Sequence, residues 1–405
     1  MKFDALKSLS GENREYILQE AAYVAENMSS RVAGSVAEAD AADHFAEKLR
    51  AAGAEVKTEE FNVAPAAAFG WIGVTAVCMM LAFVAYFFVS LVSVALILVA
   101  LIPFIVQGVM MSRAFDGAYI KRTSRNVTAL LPCSGEVKSR VYFTAHLDAA
   151  HIFRPTAGNR MKWVLAAIVL SLIGVAYLFA ADIARWSWLG SVGTGLAADE
   201  WLIVGMVGIV FVPFWMAALF LIDGRTASIG AGDDLSGCCV ATALMKAFGE
   251  SGLRPEHTEV GVILTGSEEC GLRGSKAWCD AHAAECGDVD TFFVTLDTLR
   301  DESRFSVQTR DLNGLKTLDK DAVSLVRSAA EKAGIRCAKG SNSFGATDAA
   351  SFASAGLKAV CVTAFDPMGE TYHTENDCAD TLDGDLLEKC WLTVLQVVED
   401  LDERE

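Results

Sequence analysis

Residues 260–275 read VGVILTGSEECGLRGS. The first five, Val260–Leu264, form an apolar run that reads as a buried strand. Glu268 and Glu269 follow almost at once. Two adjacent carboxylates at the end of a buried strand cost free energy unless a positive partner meets them. Other apolar runs end in the same manner. VYFTA leads into His146-Leu147-Asp148, TFFVTL into Asp297, and AVCVTAF, after a loop, into Tyr372-His373-Thr374. A helical pattern from 236 is preceded by Gly230-Ala231-Gly232-Asp233-Asp234. Histidines and carboxylates are the residue types that hold zinc, and open α/β sheets place ligands at the carboxyl ends of their strands.

Each of these residues alone has an ordinary explanation. An HxD pair can be a satisfied hydrogen-bonded pair, and Asp233-Asp234 can be a helix N-cap with favourable dipole contacts. Glu268-Glu269 can be an acidic helix start, Asp297 a turn residue, and His373 a surface histidine. Those explanations would have to hold independently at five strand exits, whereas one metal centre accounts for all of them.

The chain has 405 residues, 53% of them apolar, and a formal charge of −17. The acidity argues against nucleic acid, whose phosphates call for a basic surface. Eleven cysteines, an odd number and without a CxxC pair, exclude a zinc-ribbon or thioredoxin reading and suit free thiols in a reducing compartment. The polar, helical start of the sequence has no apolar signal-peptide core.

Residues 61–112 carry no charge, enough length for two membrane spans of about 20 residues each, with Ser90 and Ser93 suggesting a turn between them. Trp163–Ala181 and Trp201–Ile222 are two further uncharged runs, joined by a polar stretch from Asp182 to Glu200. The expectation is four transmembrane helices in two hairpins, with several of Trp163, Trp186, Trp188, Trp201 and Trp215 where an interfacial belt falls. The expected boundaries are 64–112 and 163–222 for the hairpins, and 1–63, 113–162 and 223–405 for the three parts of one polar domain. Arg113, Lys121, Arg122, Arg125, Arg154, Arg160, Lys162 and Arg225 flank the spans on the side of that domain, against Arg185 on the other. The positive-inside bias puts the domain in the cytoplasm.

Without the hairpins, strands and helices alternate. Strands are expected at AEVKTEEFNV, NVTALL, RVYFTAHLD, TEVGVILTG, TFFVTLD and AVCVTAF, and helices at 12–28, 37–52, 236–250, 273–285, 319–334, 348–355 and 384–402. The fold class is α/β, a mixed and mostly parallel central sheet with helices on both faces.

The stretches AHLD, GAGDDLSG, SEECGLRGS, LD and YHTEND, in that order, resemble the two-zinc exopeptidases typified by bacterial leucyl aminopeptidase, whose relatives include glutamate carboxypeptidase II, glutaminyl cyclase and transferrin receptor. RVAGSVAEADAADHFAEKLRAAGAEV and NVTALLP extend the likeness over nearly all the polar sequence. The resemblance implies that His146 and Asp297 bind one zinc, that Glu269 and His373 bind the other, and that Asp233 bridges them. It implies that Asp148 bonds the far nitrogen of His146 and fixes its tautomer. It implies a cis peptide after Asp233, and Glu268 as the general base acting on a metal-bound hydroxide. Three ligand carboxylates and a hydroxide balance two Zn²⁺, so the cluster is neutral. Cobalt or manganese suit the same ligands.

The chain departs from this pattern in three places. Gly232 stands where the family usually has Asn or Asp. Thr347-Asp348-Ala349 lacks the histidine of the family's Ser-Asp-His segment. The interval between His146 and Asp233 is unusually long and contains the second hairpin, which suggests an active-site rim near the bilayer, tested by depth probes around Pro155–Arg160. The implied function is a membrane-anchored metallopeptidase acting on peptides, an aminopeptidase first. The alternatives are a glutaminyl-cyclase-like zinc acyltransferase and a non-catalytic receptor or scaffold. Oligomeric state is open at this level.

Overall fold

The computed structural model describes residues 3–153, 161–189, 196–197 and 200–404. The chain divides into two units, one formed by Met1–Pro65, Ile120–Ile152 and Arg225–Glu405, the other by Ala66–Tyr119 and Phe153–Gly224.

In the first unit, eight strands make one sheet. They are β1 Glu55–Val63, β2 Arg122–Leu131, β3 Ser139–His146, β4 Thr258–Thr265, β5 Asp290–Leu299, β6 Ser306–Gln308, β7 Ala338–Gly340 and β8 Lys358–Ala364, in the order β1-β2-β4-β3-β5-β8-β6-β7. The central run β4-β3-β5-β8 is parallel. Strands β1, β2 and β6 run antiparallel to their inner neighbours. Strands β6 and β7 are three residues each, too short to show as periodic runs in the sequence.

The helices are α1 Ser10–Asn27, α2 Val36–Ala51, α3 Ser236–Ser251, α4 Arg273–His282, α5 Lys320–Lys332, α6 Asp348–Ser354 and α7 Gly384–Asp402. Side chains of a strand point alternately to its two faces, and the central strands use both. Val141, Phe143 and Ala145, with Val260, Val262 and Leu264, join the core under α1, α2, α3, α5 and α7. Tyr142, Ile263, Phe293 and Cys361 face the other way, against Trp278 and Phe352. Phe293 stacks on Phe352 at 4.8 Å. Burial on both faces is why these strands read as unbroken apolar runs rather than alternating ones. The parallel register also aligns the strand exits, with His146 opposite Thr265.

Among the described residues, the second unit contains four helices long and apolar enough to cross a membrane: Ala67–Tyr86, Ser90–Val109, Lys162–Leu189 and Glu200–Ala218. Their mutual core holds Met79, Tyr86, Ile97, Leu178 and Trp215. Leu81, Val92, Leu98, Ile102, Ile173 and Ile203 point outward and are exposed. A helix apolar all round belongs inside a protein or a bilayer.

Two boundaries differ from the expectation. The turn is Phe87–Val89, and Ser90 and Ser93 lie within the next helix. The third helix continues past Ala181 to Leu189, so Asp182 and Arg185 are helical and buried rather than part of a polar connector. Ser93 Oγ donates to Asp182 Oδ2 at 2.6 Å, and Arg185 Nη1 donates to Tyr86 O, a helix-terminal carbonyl, at 2.6 Å. Those bonds give each of the two side chains a partner inside the bundle, while Asp182 Oδ1 makes no hydrogen bond among the described residues. Arg154 and residues 155–160 lie outside the described residues.

Candidate active site

The site forms where β3, β4 and β5 end and where the chain enters α3. His146 is the last residue of β3 and Asp297 lies near the end of β5. Glu268 and Glu269 follow β4 by a few residues. Ser267, Thr298 and His373 take positive φ, at 58°, 54° and 53°. Each is a ligand-type residue or adjoins one. Such backbone is sparsely populated and clusters at functional sites. The turn after β4 also needs its glycines. A Cβ on Gly274 would lie 2.1 Å from Gly266 O, and one on Gly266 would lie 2.3 Å from Ser124 Oγ.

The structure brings the expected residues together into three overlapping groups. His146, Asp233 and Asp297 have ligand atoms within 4.8 Å of one another, as do Asp233, Glu269 and His373, and His146, Glu268 and Glu269. Asp233 belongs to two of them, one oxygen on each side. His146 Nε2 lies 3.0 Å from Oδ1, and His373 Nε2 lies 3.1 Å from Oδ2. Glu269 Oε1 is buried and makes no hydrogen bond, although His373 Nε2 is 3.3 Å away. A buried carboxylate oxygen without a donor, facing imidazole nitrogens and further carboxylates, is what a cation site looks like before its charge is counted.

The surroundings act on these groups strongly. Burial first, then neighbouring carboxylates, push Asp297 up to about 7 and Glu268 well above the carboxylate range. In Asp233, burial is opposed by hydrogen bonds from His146 and His373, which hold it below its ordinary value. Burial alone would lower His373, but Glu269 and Asp233 raise it to about 10. The protein by itself sets four carboxyl groups against two imidazoles in one buried cluster, and crowding there makes Glu268, Glu269 and Asp297 hold protons more tightly than usual.

Asp148 sits behind His146. Its main-chain oxygen is 3.0 Å from His146 Nδ1 and its carboxylate 3.5 Å. The two carboxylate oxygens accept from Glu268 N and Glu269 N at 2.8 and 3.0 Å. One side chain therefore ties the two metal-type strand ends together. Asp233 and Asp234 have different jobs despite adjacency, and the peptide between them is cis. Asp234 caps α3 through Gly237 N at 3.1 Å and also holds His146 N at 3.1 Å and Thr298 N at 3.2 Å.

Four supporting residues had no role assigned from the sequence. Arg31 is fully buried, and donates to Leu147 O at 2.9 Å and Gly230 O at 3.0 Å. Asp377 accepts from Gly232 N and Asp233 N, with Arg300 against it. Glu38 is three residues after the Ser35 N-cap, a capping-box spacing that is visible in sequence. Its side chain instead accepts from Gly34 N at 2.8 Å and from Ser267 N and Oγ at 2.7 and 2.9 Å.

Glu38 yields a pH prediction. Burial, then the charge of Asp148, raise its carboxyl from 4.5 to about 8. The folded state therefore binds this proton more tightly than the unfolded state does. The resulting stability is complete below the unfolded pKa and is lost as pH rises through about 8. Glu38→Gln replaces one acceptor oxygen by an amide nitrogen. At pH 5 the variant loses about 1–3 kcal/mol, and the gap to wild type narrows toward pH 8. Thermal unfolding in detergent across that range checks both the size and the slope.

Residues 218–398 match the model of Peptidase family M28. No curated protein matches the chain in sequence. Among solved structures, a leucine aminopeptidase precursor from Bacteroides thetaiotaomicron is similar, with 16% identity, TM-score 0.55, and coverage of 95% of this chain and 96% of that one. A glutaminyl cyclase from the same organism has 16% identity, TM-score 0.56, and coverage of 95% and 97%. A zinc aminopeptidase from Bacillus subtilis has 14% identity, TM-score 0.57, and coverage of 96% and 95%. At these identities the structures speak for the fold alone, while the family match spans Asp233, Glu268, Glu269, Asp297 and His373. The match to Peptidase family M28 over residues 218–398 agrees with the resemblance of the strand-end motifs and supports a zinc-dependent peptidase hydrolase.

Proposed function

We propose that the chain is a membrane-anchored aminopeptidase using two zinc ions. His146 and Asp297 would hold one ion, Glu269 and His373 the other, and Asp233 both. The observation that carries this reading is the pair of donor groups sharing Asp233, together with the undonated Glu269 Oε1. Zinc is the metal named for similar solved structures, and the donor set of imidazole and carboxylate suits it. Two such ions lower the pKa of a water and polarise a carbonyl.

The chain's own residues supply the rest. Glu268 is nearly buried beside both donor groups. That place beside both donor groups suits its carboxylate to take a proton from the attacking water and return it to the leaving amine. Asp148 orients His146 and fixes the Glu268-Glu269 backbone. Asp234 keeps the β3 and β5 exits in register with α3.

The four apolar helices are read as membrane spans, with the polar unit in the cytoplasm as the flanking arginines and lysines favour. Protein extracted by detergent from alkali-washed membranes should contain two zincs per chain and release amino acids from unblocked peptides. N-terminally blocked peptides should be spared. One zinc per chain with cyclisation of N-terminal glutamine would favour the acyltransferase reading, which the similar glutaminyl cyclase fold keeps open. Protease outside intact cells should leave the chain whole and should digest it in inside-out vesicles. The opposite pattern would reverse the topology.

A further inference from the structure

Asp233 is the one residue that both donor groups share, yet its own backbone is gripped by residues outside them. Asp377 Oδ1 accepts from Gly232 N at 2.7 Å, and Oδ2 accepts from Asp233 N at 3.0 Å. The main-chain oxygen of Asp377 accepts from Ala231 N at 3.1 Å. Three consecutive amides thus end on one buried aspartate. The guanidinium of Arg300 lies against the same carboxylate and bonds Thr381 Oγ1. Arg300 follows Asp297 by three residues and Asp377 follows His373 by four. The pair therefore joins the backbone of Asp233 to segments that carry a donor on either side of it.

Gly232 completes the arrangement. A Cβ there would stand 2.8 Å from Arg300 Nη1 and 2.8 Å from Asp377 Oδ1. At those distances the guanidinium or the carboxylate would have to shift to admit any side chain. The guanidinium occupies the space that an Asn or Asp at 232 would need.

We propose that Arg300 and Asp377 are positioning residues for Asp233, and that Gly232 is glycine so that the guanidinium can be seated. The inference rests on the two-zinc reading. Partners that orient ligands from behind typically contribute 10–100-fold to metal affinity. Because Asp233 is shared, both ions are affected.

The test measures zinc affinity by chelator competition, and the absorption spectrum of the cobalt-loaded protein. Both are run on full-length protein in detergent for wild type, Arg300→Ala, Arg300→Lys, Gly232→Asn, the Gly232→Asn/Arg300→Ala double variant, and Arg304→Ala as a control on an exposed ion pair. Arg300→Ala and Gly232→Asn should each weaken zinc 10–100-fold and alter the cobalt spectrum, and Arg300→Lys should recover part of the loss. The double variant should bind zinc better than the sum of the single losses, because the Asn side chain then has the vacated space and a donor for Asp377. Wild-type zinc affinity and spectrum in Arg300→Ala would overturn the proposal, as would strictly additive losses in the double variant. If Arg300→Ala does not fold, Arg300→Lys and Gly232→Asn decide by the same readouts. A wild-type protein that binds no metal pair would instead overturn the two-zinc reading itself.

Discussion

Glu268→Gln lowers kcat by about 10²–10⁴-fold while two metals per chain remain bound. The expectation follows from what the substitution changes. Gln keeps the size of the side chain and its place beside both donor groups, but it cannot take up a proton near neutral pH. Glu268 stands outside the two groups that share Asp233, so losing its charge removes no ligand from them. Metal content and steady-state kinetics on the same preparation check the prediction. A variant that turns over within tenfold of wild type would remove Glu268 from the proton-transfer role. One that loses a metal would make it a ligand.

Asp233→Ala has the opposite signature. It should lose metal first and activity as a consequence. Asp233 supplies one oxygen to the His146 side and one to the His373 side. Removing it leaves Glu269 and Asp297 with fewer positive neighbours in a buried place. Metal binding to ligands absent from the unfolded chain is also folding free energy. The variant should therefore unfold at lower temperature than wild type in the presence of zinc, and the two should move closer after chelation. Elemental analysis and thermal unfolding with and without chelator report both effects. Two retained zincs would take Asp233 out of the shared position.

Much of this was legible without coordinates because the chemistry sits at strand ends. The apolar runs before His146, Glu268 and Asp297 mark buried parallel strands, and a parallel sheet aligns its exits. Residues far apart in sequence can then be placed in one cleft by topology alone. The long uncharged runs carried the four apolar helices for the same reason, since length and composition suffice for that reading.

Other features had no local signal. Asp182 and Arg185 read as the start of a polar connector, because a charge normally ends an apolar span. Partners supplied by neighbouring helices, Ser93 for Asp182 and the Tyr86 carbonyl and ring for Arg185, help make them tolerable inside the bundle. Strands β6 and β7 are too short for periodicity to register. Arg31, Glu38 and Asp377 bond largely to backbone groups, which have the same identity in every residue, and Arg300 bonds side chains that lie far from it in sequence.

The sequence by itself determined the α/β class, the apolar helices and the set of residue types that converge on the site, because burial periodicity and ligand chemistry are properties of side chains in order. The tertiary structure alone decided how the paired acidic residues divide their work. Asp233 faces two imidazoles while Asp234 caps a helix and holds two strand ends. Asp148 binds the backbone of both glutamates, and Gly232 gives up its side chain to an arginine. Those assignments depend on which atoms approach within hydrogen-bond distance across long separations in sequence, and chain order does not encode that separately from the fold.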